Sequence, residues 1–174
     1  MENQVIETIM KRRSCRTFDP DRMPTDDLLS QVAETGTWSP TSMGQQNPII
    51  VVVTDRQLRD KISEMNARIM GTNSDPFYGA PCMIIVLVKK SVNALFDGPI
   101  VMQTMMLAAE SLGLNSCWIH RAKEEFESEE GKQILRDLGI EGEYVGIGHL
   151  ALGYTNQPIP EPKPRKADYI YWAK

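Results

Sequence analysis

Arg12-Arg13-Ser14-Cys15-Arg16 places three guanidinium groups and a hydroxyl within five residues. A guanidinium fork matches phosphate oxygens bidentately, and a serine hydroxyl adds a donor. In an extended segment alternate side chains share one side, so Ser14 and Arg16 can converge with Arg12. That is the make-up of a socket for a single phosphate; the same residues equally make a solvated basic helix end. A second cluster, Ser39-Pro40-Thr41-Ser42-Met43-Gly44-Gln45-Gln46-Asn47-Pro48, crowds hydroxyls and carboxamides into ten residues. Such groups donate and accept without net charge, which suits the edge of a heterocycle and suits a polar capping loop as well. Gly146-Ile147-Gly148 lacks the third glycine and the strand-to-helix setting of a dinucleotide fingerprint, and no P-loop pattern occurs. Cys15, Cys82 and Cys117 contain no C-x-x-C, and His120 and His149 are far apart, so neither a disulfide framework nor a metal site is expected.

These residues need elements to hold them. Val5, Ile6, Ile9 and Met10 form a helical stripe, predicting an amphipathic helix over 2–12 closed by the cations Lys11 to Arg13. Thr25 reads as the cap of a helix with Leu28, Leu29, Val32 and Ala33 inward, ended by Gly36. Residues 49–53 and 83–88 read as fully buried strands, and Asp55 caps a helix carrying Leu58, Ile62, Met65 and Ile69. Residues 71–82, with Gly71, Pro76, Gly79 and Pro81, are loop. Residues 99–112 read as a helix apolar nearly all round, fit for a central position or a subunit interface. A short strand at 116–119, a helix over 128–138 ended by Gly139, and a strand at 144–152 with Gly146 and Gly148 on one face complete the order. Pro158, Pro160, Pro162 and Pro164 alternate into a stiff arm that ends in Lys163, Arg165, Lys166 and an aromatic tip, 169–172, able to form an edge strand.

The expected fold is one α+β domain over 1–174. A central mixed or antiparallel sheet of four to five strands is flanked by helices on both faces, and an extended C-terminal arm, 153–174, docks on its own or a partner subunit. With 41% hydrophobic and 24% charged residues, the 174-residue chain is of ordinary globular composition. A net charge of −4 argues against general nucleic-acid or anionic-membrane binding, so any anion site must be local. The charged N-terminus is not expected to be a signal peptide, and the longest apolar run, 83–88, falls far short of a membrane span; a cytoplasmic protein is the expectation.

Taken together, the blocks carry a family resemblance. RRSCRTF resembles the RRS-x-R-x-F opening of the FMN-dependent nitroreductases. SPTSMGQQNP is similar to their polar loop before the first core strand, and LGLNSCWI to their LG-x-x-[ST]-C-x-I strand. HLALGY with the KPRK tail resembles their close. The blocks keep the family's order from about residue 5 to 172. The resemblance implies a nitroreductase-like fold, FMN as cofactor, and a homodimer with FMN at the subunit interface. By position it implies that Arg12, Arg13, Ser14 and Arg16 hold the phosphate and ribityl chain and that Lys163 and Arg165 return to the same phosphate. Pro40, Thr41, Ser42 and Gln46 match a loop beside the ring, usually the partner's, and the backbone of Trp118, Ile119, His120 and Arg121 matches the stretch nearing flavin N5. Gly44 stands where many members have Asn, and Trp118, His120 and Arg121 depart from the family's usual residues. The implied activity takes hydride from NAD(P)H and passes it to a nitroaromatic, quinone or similar acceptor. No side chain is assigned a catalytic role, because the flavin carries the chemistry. With no room for a second nucleotide domain, donor and acceptor are expected to alternate over one flavin face, giving ping-pong kinetics. The alternatives are a flavin store or sensor with little turnover and a specialised reductive chemistry on the same fold.

Overall fold

The computed structural model describes residues 3–174. Four strands, β1 (Pro48–Val53), β2 (Cys82–Lys89), β3 (Asn115–Ile119) and β4 (Tyr144–Gly153), form one antiparallel sheet in the order β1-β2-β4-β3. β2 is central and buried from Cys82 to Val88. Its side chains alternate between two cores: Met83, Ile85 and Leu87 face one, Ile84 and Val86 the other. The first core is closed by α3 (Arg56–Met70), α5 (Ala122–Glu127) and α6 (Glu129–Asp137), the second by α2 (Asp26–Thr37) and α4 (Ala94–Ser111). Thr25, Asp55 and Ser128 cap α2, α3 and α6 by accepting from backbone N–H groups of the first turn. Gly139, at φ 73°, stands just past α6.

Several expectations change. β1 is an edge strand and only half-buried, because nothing pairs beyond it. Gly36 lies inside α2, not past its end; a Cβ there would meet Ile50 Cδ1 at 2.7 Å and Met105 Cγ at 2.9 Å. α4 starts at Ala94 and runs through Pro99. Its first turn exposes Leu95 and Phe96 and buries Asp97, which interrupts the apolar pattern that marks the rest. Of the apolar surround of 99–112, Val101, Met102, Met105, Met106 and Ala109 are buried inside the protomer, while Ile100 stays 41% exposed. α5 has six residues, too few to show a period. The sheet has four strands, and the 169–172 tip is not a fifth; a short 3-10 turn over Ala167–Tyr169 precedes it.

α1 (Gln4–Lys11) buries none of its residues. The 2–12 expectation begins at Glu2, outside the described residues. Val5, Ile6, Ile9 and Met10 are between 49% and 69% exposed, so the apolar stripe of the helix is left unburied. The arm packs on its own protomer only at its start, and residues 156–174 are exposed, Tyr171 and Trp172 by 82% and 80%. No helix among the described residues is long and apolar enough to cross a membrane.

Gly146-Ile147-Gly148 is a sheet bulge. Val86 pairs with Gly148 and Leu87 with Gly146, leaving Ile147 unpaired. The extra residue sends the two glycines to opposite faces, not to one. Gly146 backs onto the start of α5, where a Cβ would lie 2.1 Å from the Ala122 carbonyl oxygen, and Gly148 makes room for the Trp118 indole.

Candidate active site

Arg12 closes α1 with φ −52° and ψ 129°, turning the chain from helix to extended backbone. The Arg13 guanidinium bends back and donates through Nη1 to the carbonyls of Met10 at 2.6 Å and Arg12 at 2.7 Å, sealing the helix end. Ser14 then forms a parallel bridge with Ser116, and Cys15 N–H donates to the Ser116 carbonyl at 2.9 Å. The 12–16 segment thus lies along the free edge of β3. Two donors there, Arg12 Nη1 and Arg13 Nε, are buried with no acceptor among the described residues. A buried guanidinium N–H left unpaired is costly, so the pair fits an anionic acceptor such as a phosphate ester. Arg16 is exposed and has no ion pair among the described residues. Burial pushes the Cys117 thiol up, against the charges of Arg16 and Arg12, which puts both guanidiniums within electrostatic reach of β3.

At the far end of β3 the chain turns. Trp118 is half-buried, Ile119 is buried, and His120 is exposed. The His120 ring stacks on Trp118 with centroids 5.8 Å apart and planes 29° from parallel. Arg121 adopts the left-handed conformation, φ 79°, immediately before α5. Leu95, Pro99, Trp118, His120, Arg121 and Ile147 line an open cavity of about 330 Å³ beside this turn. Strand β3 therefore carries basic, anion-ready groups at one end and a flat aromatic shelf at the other.

The 40–46 loop is elsewhere. It enters β1, at the opposite edge of the sheet from β3. Three strand spacings separate the edges, roughly 14 Å. The loop is tightly built: Met43, Gly44 and Gln46 all have positive φ (54°, 65° and 51°), and Gln46 N–H donates to Thr41 Oγ1 at 3.0 Å. The Ser42 hydroxyl donates to buried Asp97 Oδ1 at 2.8 Å, and its N–H to the same oxygen at 3.0 Å. Ser42 is thereby an anchor whose proton is already committed. Pro40 and Gln46 are exposed, while Thr41 and Gln46 help line a cavity of about 400 Å³ against Gly36, Ile50 and Val101. On the arm, Ile159 to Pro162 pass a cleft shared with Lys11 and Arg13. Lys163 and Arg165 follow, exposed, with no hydrogen bond to 12–16. One chain thus brings 12–16 and 118–121 to one strand and leaves 40–46 at the other sheet edge.

Sequence reading missed Asp97, Asn66, Glu125 and His149, all buried polar groups around these segments. Only Asp97 and His149 left a trace, as polar residues inside apolar stretches; Asn66 and Glu125 look like ordinary helix surface.

Comparison with known proteins gives a consistent answer. The model of the Nitroreductase family matches residues 9–76 and 66–154. The structure of a nitroreductase with bound FMN from Desulfitobacterium hafniense DCB-2 superposes with a TM-score of 0.87 at 30% identity, covering all of both chains. One with bound FMN from Bacteroides fragilis NCTC 9343 also gives 0.87, at 29% identity over 99% of this chain and all of that one. A Methanothermobacter thermautotrophicus protein named "Putative NADH dehydrogenase/NAD(P)H nitroreductase" is 29% identical over 92% of this chain and 81% of its own length. An antiparallel sheet wrapped in helices, an arginine-rich edge on β3 and these likenesses agree: the chain belongs to the nitroreductase family.

Proposed function

We propose that this chain is an FMN-dependent oxidoreductase that works as a homodimer and passes electrons from NAD(P)H to a nitroaromatic, quinone or similar acceptor. The observation that carries the reading is the pair of buried, acceptorless donors, Arg12 Nη1 and Arg13 Nε, on the β3 edge. Bound FMN supplies hydride acceptance and donation at its N5 position. Arg12, Ser14 and Arg16 hold the phosphate. Arg13 contributes through Nε while its Nη1 seals α1. The 118–121 turn presents backbone and the Trp118–His120 shelf to the ring. A partner subunit's 40–46 loop completes the other side, because its own copy lies across the sheet. The unburied stripe of α1 and the aromatic tip of the arm support the dimer, since exposed apolar surface on this scale marks an interaction site. Lys163 and Arg165 of the docked arm add charge at the phosphate. Donor and acceptor share the single open face, so they must alternate, giving parallel double-reciprocal plots. Three free cysteines suit a reducing, cytoplasmic setting.

Purified protein should be yellow and should bleach anaerobically with NADH or NADPH, then recolour on adding a quinone. Titration of FMN-free protein should show riboflavin, which lacks the phosphate, binding far more weakly than FMN. Colourless protein with no affinity for FMN would overturn the reading. A yellow protein that NAD(P)H never bleaches would be a flavin carrier rather than a reductase.

A further inference from the structure

Behind the 118–121 turn lies a ladder of polar side chains that the chemistry above does not use. Asn66 from α3, Glu125 from α5 and His149 from β4 are each wholly buried. Asn66 Nδ2 donates to the His120 carbonyl at 2.8 Å and to Glu125 Oε1. Asn66 Oδ1 accepts from Arg121 Nε at 2.8 Å. The other Glu125 oxygen, Oε2, lies 2.6 Å from His149 Nε2 as a close contact, neither atom having a hydrogen-bond partner among the described residues, and the His149 ring is walled by Phe77 and Phe126. One carboxamide thus holds the backbone of one turn residue and the side chain of the next, and is itself held from behind.

A buried carboxylate and imidazole are expensive, and well-packed apolar residues would stabilise the core at least as well. What apolar residues cannot do is fix a carbonyl and a guanidinium in one orientation. The turn needs such fixing. Arg121 sits in the left-handed region without being glycine, a conformation that persists only where its surroundings impose it.

Resting on the FMN reading above, we propose that Asn66, backed by Glu125 and His149, is the positioning residue that sets the 120–121 turn for hydride transfer. Asn66→Leu keeps the branched shape and removes both contacts to the turn. In FMN-free protein, amides of 120–123 should then exchange about tenfold faster while those of β2 do not change. FMN affinity should stay within about threefold, because the phosphate donors are untouched. Hydride transfer from NADH should slow by ten- to a hundredfold at unchanged half-saturation, as expected of a misplaced rather than an absent group. Glu125→Leu should follow Asn66→Leu. Glu125→Gln retains an acceptor for Asn66 and offers a donor to His149, and should recover most of both readouts. If Asn66→Leu does not fold, Asn66→Ala removes the same two contacts with a smaller side chain and carries the same expectation. Folded variants with wild-type exchange and wild-type hydride transfer overturn the positioning role, as does a Glu125→Gln no better than Glu125→Leu. A wild-type chain that takes up no FMN overturns the function itself and this role with it.

Discussion

Gly146→Ala tests the link between sheet packing and the site. A Cβ built at Gly146 lies 2.1 Å from the Ala122 carbonyl oxygen, 2.3 Å from its carbon and 2.9 Å from Lys123 N. Every one of these is backbone, so no side chain can swing away. Ordinary contact begins near 3.4 Å, so the start of α5 must retreat by 3.4 − 2.1 = 1.3 Å. Overpacking of this kind costs about 1–3 kcal/mol. In a protein of this size, that lowers the melting temperature by about 2–12 °C. Ala122 directly follows the 118–121 turn, so the same retreat displaces the turn that the proposed function sets against the flavin. A misplacement of about 1 Å costs on the order of a hundredfold in a reaction that depends on alignment. Differential scanning calorimetry and anaerobic stopped-flow reduction by NADH read the two effects. Gly139→Ala is the control: its φ of 73° imposes backbone strain of about 1–2 kcal/mol, but no atom lies within 4 Å of its Cβ, and it is far from the turn. It should lose stability and keep its reduction rate. A Gly146→Ala protein that melts and reduces like wild type would refute the claim that this glycine exists to seat α5.

Arg12→Ala and Arg16→Ala should each weaken FMN binding ten- to a hundredfold, the loss of about 1.5–3 kcal/mol of charge-assisted contact, as read by titration of FMN-free protein. Asp75 gives a pH signature. Burial raises its carboxyl, but hydrogen bonds from Arg59, Ser63 and the N–H groups of Phe77 and Gly79 outweigh that and hold it below the ordinary 3.8. Its folded pKa is depressed, so its contribution is fully present above pH 3.8 and is lost as pH falls through the lower folded value. Urea midpoints measured from pH 5 down to 2 should decline, with a smaller decline in Asp75→Asn. Removing residues 157–174 should shift the light-scattering mass from about 39 kDa (2 × 19.6) towards the monomer and cost FMN retention; an unchanged dimer that keeps its flavin would contradict the docking arm.

What the sequence determined by itself was local. Thr25 and Asp55 cap helices because a short side-chain oxygen reaches the first-turn N–H groups of its own helix. The β-rich runs at 49–53 and 83–88 became strands, and the clustering of three arginines and a serine over 12–16 is plain from composition alone. Tertiary structure decided the rest, because it depends on neighbours remote in the chain. The stripe on α1 has the same period whether it faces a core or a partner, and only the fold shows it unburied. Ile147 bulges because Leu87 pairs with Gly146, a register set across the sheet and invisible in either strand alone. Arg13 spends half its fork on the end of its own helix, leaving a single buried nitrogen unpaired. Asn66 and Glu125 are 59 residues apart and become partners only because α3 and α5 pack on the same face of the sheet. The strand order β1-β2-β4-β3 puts the polar loop and the arginines at opposite edges, a separation that neither segment's own sequence carries.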